Sequence, residues 1–207
     1  MAIILNSGCA LAPFNSPKSA RSLGEGNNEI DWGLLSVPHF QYTRGVTENL
    51  DVGASIGIQF GYDLHAFARY SFVNREEGHS FGAVAGAGAG VFILPTTFAY
   101  LGPSWSFKDR SWEFFAHPRL NLVAWDETEL RSEKEKINQE EGADSEEGED
   151  LLLELDGGQL VYAQLNGGFN YWFTDGFALS VSGLVLLSGQ DGIMSQPLPE
   201  FSLLWHF

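Results

Sequence analysis

The stretch VYAQLNGGFNYWFTDGFALSVSGLVLLS, residues 161–188, alternates between two kinds of side chain with a period of two. Up to Phe173 its odd positions are aliphatic, aromatic or glycine, whereas its even positions include Gln164 and Asn166. The alternation resumes after a short turn at 174–176. Successive side chains of a strand point to opposite faces, so this pattern predicts two strands, each with one apolar and one more polar face.

The same alternation recurs along most of the chain. It predicts nine strands, at about 29–43, 49–60, 62–73, 79–94, 97–107, 111–125, 158–173, 176–188 and 199–207. Three of them contain a proline in their interior, at Pro38, Pro103 and Pro118. Proline cannot donate a ladder hydrogen bond, so bulges or irregular pairing are expected there.

The composition of the polar face separates a membrane barrel from a soluble β-sandwich. A sandwich exposes its polar face to water and carries many charged residues there. Here that face is mostly Gly, Ser, Asn and Gln, with almost no lysine, and aromatic residues gather near the strand ends. No apolar run reaches the roughly 18 residues of a transmembrane helix. We therefore predict an all-β chain whose apolar face contacts lipid, with a soluble β fold as the rival.

A membrane sheet has to close, because an open edge would leave backbone groups unpaired in lipid. The predicted fold is a closed antiparallel up-and-down transmembrane β-barrel. Bacterial single-chain barrels have even strand numbers. The segment 18–24 would supply a tenth strand, and eight strands is the alternative.

Acidity is concentrated in one connection, residues 126–158. Between 126 and 156 lie 14 of the 27 acidic residues and three bases, a net charge of −11 out of −16. This insertion follows an outward strand and is expected to be an acidic extracellular loop. Divalent cations or an extracellular partner are its candidate ligands. Nucleic acid is excluded as a partner because the chain has no basic patch.

The carboxyl end LPEFSLLWHF resembles the C-terminal signal that the barrel assembly machinery of Gram-negative bacteria reads. The stretch YTRGVTENLDVG, from Tyr42 to Gly53, looks like a periplasmic turn and the strand after it in small barrels of this kind. The resemblance implies a place in the bacterial outer membrane, with its lipids and the assembly machinery as partners. The residues that carry the C-terminal signal would be Phe201, Leu203, Trp205 and Phe207.

The amino end leaves two alternatives open. SARSLGEGNNEI after the single cysteine, Cys9, resembles the entry of some barrel lipoproteins, which would make Cys9 a lipidation site. The residues before Cys9 fit a lipoprotein signal incompletely, so Cys9 is otherwise a small buried or lumenal residue. We take 1–17 as a leader or linker and 18–207 as the barrel domain.

The polar face of the strands carries a sparse set of ionisable groups, which we expect to form a lumenal charge network because buried charges need partners. One interpretation is a plug that fills a narrow barrel, and the other is a small polar permeation path or ligand site. No nucleophile elbow, phosphate-binding loop or metal-ligand spacing is found, so we predict a non-enzymatic protein without a cofactor or metal, and an outer-membrane barrel enzyme is the third alternative after a plugged barrel and a channel. The network comprises Asp51, Asp63, His65, Arg69, Glu113, His117 and Arg119.

Overall fold

A computed structural model describes residues 17–35, 38–58, 61–91, 95–125, 159–187 and 198–207. Within these ranges no helix is long and apolar enough to cross a membrane. The described residues form ten strands: β1 (Asn28–Leu35), β2 (His39–Gly45), β3 (Leu50–Ile58), β4 (Tyr62–Val73), β5 (Gly78–Val91), β6 (Pro95–Asp109), β7 (Trp112–Trp125), β8 (Gln159–Thr174), β9 (Phe177–Leu187) and β10 (Leu198–His206).

The ten strands form one closed barrel. Each strand pairs antiparallel with its neighbours in sequence, and β1 pairs with β10. The turns at 46–49, 74–77, 110–111 and 175–176 lie at one end, which we call the short-turn rim. The predicted closed, up-and-down barrel of ten strands is confirmed, and closure leaves no strand edge to face lipid.

The origin of the tenth strand differs from the prediction. The segment 29–43, predicted as one strand, is two strands, β1 and β2, on either side of Pro38. They pair as a hairpin from Asn28 opposite Arg44 to Gly33 opposite His39. Pro38 lacks an N–H and cannot extend a ladder, which explains the break. The segment 18–24 contributes no strand, and the prediction of one there was wrong.

The barrel is apolar outside and polar inside. Outward side chains include Tyr62, Leu64 and Phe72, each more than 60 % exposed, whereas Gln41, Arg69 and Glu113 are completely buried. A soluble protein of this size would place these groups the other way round. The fold is therefore that of a small outer-membrane β-barrel, in which alternation separates a lipid-facing surface from a polar lumen.

Two of the prolines mark an interruption in the sheet. Pairing of β6 with β7 runs to Leu101 opposite Leu120 and resumes, in the same register, at Trp105 opposite Ala116. Pro103 lies within this gap on β6, and the facing gap on β7 contains Pro118. The predicted local irregularity is present, without a break in either strand.

Candidate functional site

Residues 17–24 lie inside the barrel, and we call them the lumenal strap. Lys18, Ser19 and Ala20 are each less than 10 % exposed. Barrel side chains bind the strap's backbone: Arg69 Nη1 donates to the Ser19 carbonyl at 2.9 Å and Ser71 Oγ to the Ala20 carbonyl at 2.6 Å. These contacts satisfy two buried carbonyls of the strap without the strap joining the sheet.

Glu113 on β7 is the main anchor of the strap. Its carboxylate accepts hydrogen bonds from Arg21 Nε at 3.0 Å and Arg21 Nη2 at 2.9 Å. Ser19 Oγ donates at 2.5 Å, and the Trp172 indole N–H donates at 3.2 Å. A carboxylate with 0 % exposure is costly unless its lone pairs are filled, and the two-pronged guanidinium contact meets that need.

A second anchor is the pair of Asp51 and Arg69. Their closest approach is 2.7 Å, from Arg69 Nη2 to Asp51 Oδ2, and both side chains are fully buried. Asp51 also accepts hydrogen bonds from Ser22 Oγ at 2.8 Å and from the Leu23 N–H at 3.1 Å. The strap leaves the lumen here, at the short-turn rim.

Lys18 is the deepest anchor. Its ammonium donates to Glu200 on β10 and lies 3.9 Å from Asp31 Oδ2 on β1. Burial alone would lower the pKa of Lys18, but the carboxylates of Glu200 and Asp31 raise it above the ordinary value. The pKa of Arg21 is raised for the same reason: burial would lower it, but the carboxylate of Glu113 raises it by more. Both strap cations are therefore charged at neutral pH.

The lumen beyond the strap, towards the opposite rim, is filled by a different set of side chains. The Arg119 guanidinium lies over the Tyr100 ring, 4.6 Å from its centroid. Gly86 and Gly53 leave room for Tyr100 and Phe67, since a Cβ at either glycine would overlap the facing ring. The buried apolar side chains in this part of the lumen form one cluster, which we call the apolar cluster. It comprises Phe67, Val84, Phe98, Tyr100, Val123, Tyr162 and Leu184.

The structure places the seven residues of the predicted charge network in the lumen, but in separate groups. Asp51 meets Arg69, and His65 Nδ1 lies 3.2 Å from Asp63 Oδ1. Glu113 is bound by Arg21, a residue outside the predicted network. His117 is buried with its ring 5.6 Å from that of Phe115, and Arg119 stacks on Tyr100.

Sequence reasoning missed the strap and three of the acids. The alternation that placed Asp51 and Glu113 inside also places Glu29, Asp31 and Glu200 inside, and all three are buried. His206 Nε2 lies 2.6 Å from Glu29 Oε2. No periodic pattern in the sequence predicts the position of the strap, because the strap is held by side chains on several different strands.

The C-terminal residues follow the predicted alternation. Trp205 and Phe207 are 58 % and 57 % exposed on the outer surface, whereas Ser202 and Leu204 point inward and are buried. Phe201 and Leu203 lie on the same outer face as Trp205. The backbone of Phe207 is tied to β1, because its N–H and carbonyl exchange hydrogen bonds with Asn28.

Two predicted features lie outside the described residues. They are Cys9, in the proposed leader 1–17, and the acidic insertion 126–158.

No protein-family model and no curated protein sequence matches this chain. Among solved structures, it is similar to the N-terminal β-barrel domain of Pseudomonas aeruginosa OprF, at 12 % identity and a TM-score of 0.37, covering 89 % of this chain and 99 % of that domain. It is also similar to BamA from Haemophilus ducreyi lacking POTRA domains 1–3, at 12 % identity and a TM-score of 0.38. That match covers 82 % of this chain and 35 % of the BamA chain.

Proposed function

We propose that this protein is a non-enzymatic barrel of the bacterial outer membrane whose lumen is plugged by its own N-terminal strap, leaving a structural or partner-binding role. The observation that carries the proposal is the fit of the strap to the lumen. Lys18, Arg21 and the backbone between them are bound by Glu200, Glu113 and Arg69. A ten-stranded barrel is narrow enough for side chains nearly to fill it.

Planar-bilayer recording tests the plug. The purified full chain should show little steady conductance. Replacing both Ser19 and Arg21 with Ala removes three hydrogen bonds to Glu113 and should produce openings. Steady, ion-selective conductance of the unaltered chain would contradict the plug and favour a narrow channel for small polar solutes or ions.

Cysteine labelling tests the position of the strap directly. In a Cys9→Ser background, Ser19→Cys should react slowly with a charged thiol reagent, because position 19 is 7 % exposed in the lumen. Glu25→Cys is the matched control, since Glu25 is exposed in the turn just outside. Equal reaction rates at the two positions would contradict a strap inside the barrel.

The C-terminal residues are proposed to carry the assembly signal. Replacing Trp205 and Phe207 with Ser should lower the amount of folded barrel in the outer membrane, measured by heat-modifiable migration in SDS gels. Replacing the outward Val161 and Leu165 on β8 with Ser controls for the loss of lipid-facing area alone. Equal loss in both variants would contradict a specific signal.

The acidic insertion is proposed to be the partner-binding region, on the extracellular side. Its net charge would attract cations and cationic partner surfaces. Deleting residues 130–150 should leave the barrel folded and reduce binding of Ca²⁺ or of a polycation to intact cells. Unchanged binding after the deletion would contradict this role.

A further inference from the structure

Barrel closure brings three potential metal ligands together beside the strap. Asp31 lies on β1, His39 on β2 and Glu200 on β10. One ligand atom from each residue lies within 4.8 Å of the other two. All three side chains are at least nine-tenths buried. Only the joining of the last strand to the first produces this arrangement.

The chain's own cation already occupies this cluster. The Lys18 ammonium donates to Glu200 and lies 3.9 Å from Asp31 Oδ2, while His39 Nε2 lies 3.3 Å from the same oxygen. Lys18 belongs to the strap and not to a barrel strand. The cation can therefore leave without disturbing the sheet.

One ammonium matches this cluster incompletely. While the imidazole is neutral, two carboxylates and one ammonium total −1; a proton on His39, whose Nε2 lies 3.3 Å from Asp31 Oδ2, would balance the cluster and would have to leave when a metal binds. The two oxygens of Asp31 are buried, and the contacts of Oδ2 with Lys18 and His39 are ion pairs at 3.9 and 3.3 Å. A divalent cation would balance both carboxylates and also coordinate the imidazole nitrogen.

We propose that Asp31, His39 and Glu200 form a divalent transition-metal site for which the Lys18 ammonium and the metal compete. Two carboxylates and an imidazole suit Zn²⁺ and its neighbours, bound at about 2.0–2.2 Å. The ligand atoms need to move inward from their present spacing, as side-chain rotation permits once the ammonium leaves. Metal binding then removes the deepest anchor of the strap.

Zinc titration of the full-length protein in detergent tests the site. Lys18→Met keeps an unbranched apolar stem and removes the competing charge, so its Zn²⁺ affinity should exceed that of the unaltered protein by about 10-fold or more. Lys18→Met with His39→Ala is the matched control and should lose this gain. The acidic insertion is identical in all three proteins, so any cation binding there cancels.

Cobalt(II) gives a second readout, because absorption in the visible range reports nitrogen and oxygen ligation of the bound ion. Lys18→Ala repeats the test if Lys18→Met does not fold. Equal zinc affinity of the Lys18 variant and its His39→Ala partner would overturn the site. Equal affinity of the unaltered protein and the Lys18 variant would overturn the competition.

Discussion

The two halves of the lumen are filled in different ways. Near the short-turn rim, the space is occupied by the strap, held by ion pairs and hydrogen bonds to Glu113, Asp51 and Glu200. Towards the opposite rim, it is occupied by the apolar cluster, whose side chains all belong to barrel strands. Polar contacts can be exchanged for water or ions, whereas a side chain fixed to a strand cannot leave. The strap half is therefore the half that can open.

Glu113→Gln should have the largest effect on this contrast. It leaves the Arg21 guanidinium, which is only 15 % exposed, beside a neutral amide, and breaking a buried ion pair typically costs about 3–5 kcal/mol. Urea unfolding in lipid vesicles measures the loss, with the exposed Glu77→Gln as control. In a double-mutant cycle, Arg21→Ala should remove most of the effect. Additive losses would show that the two residues do not act as a pair.

Phe98→Ala should rank second and behave differently. It opens a cavity in the apolar cluster, with an expected loss of about 3 kcal/mol in the free energy of unfolding. Since Phe98 and Arg21 share no contact in the structure, the same unfolding assay should give additive losses for Phe98→Ala and Arg21→Ala. Strong coupling would mean that the two halves are not independent.

Arg119→Met tests the boundary between the halves. The charge is lost but the stem remains, and the contact with the Tyr100 ring is worth about 1–2 kcal/mol when it is desolvated. The unfolding free energy should fall by that amount, without faster labelling of a cysteine at position 19. Faster labelling would assign Arg119 to the strap half.

The smallest effect should be present at neutral pH and lost only in strong base. Lys18 has a pKa raised above its ordinary value of 10.5, so its charged form contributes stability that is full below that pH and is lost as the pH rises through the raised value. The melting temperatures of the unaltered protein and Lys18→Met should differ at pH 8 and converge in stronger base. A constant difference across this range would argue against an ionic contribution.

The comparison also shows what the sequence could predict. Strand positions and the inward direction of Asp51, Arg69 and Glu113 follow from a period of two, which is a local property. Pro38 predicted only an irregularity within a single strand at 29–43, whereas the structure has two strands there. Alternation predicts which face of the sheet a side chain is on, and it places Glu200 on the inner face as well.

Partners across the lumen could not be predicted in this way. Glu113 meets Arg21, and Glu200 meets Lys18, because closure of the barrel brings distant strands around one segment. Lys18–Gly24 is short and polar, and nothing in its composition separates a strand from a strap. We predicted a strand at Lys18–Gly24 because an even strand number required a tenth strand. In the structure, the break at Pro38 supplies that tenth strand.

The contact between Lys18 and Glu200 joins residues 182 positions apart and so has a consequence for biogenesis. Glu200 lies on β10, the strand that seals the barrel against β1. If β10 docks onto β1 around a strap that is already in place, this contact forms directly, whereas a strap that enters after closure has to pass through the short-turn rim. We therefore expect the strap to be in place before β10 docks. The barrel then closes around the strap, and a nascent chain that lacks β10 has the strap but lacks Glu200, the residue that binds Lys18.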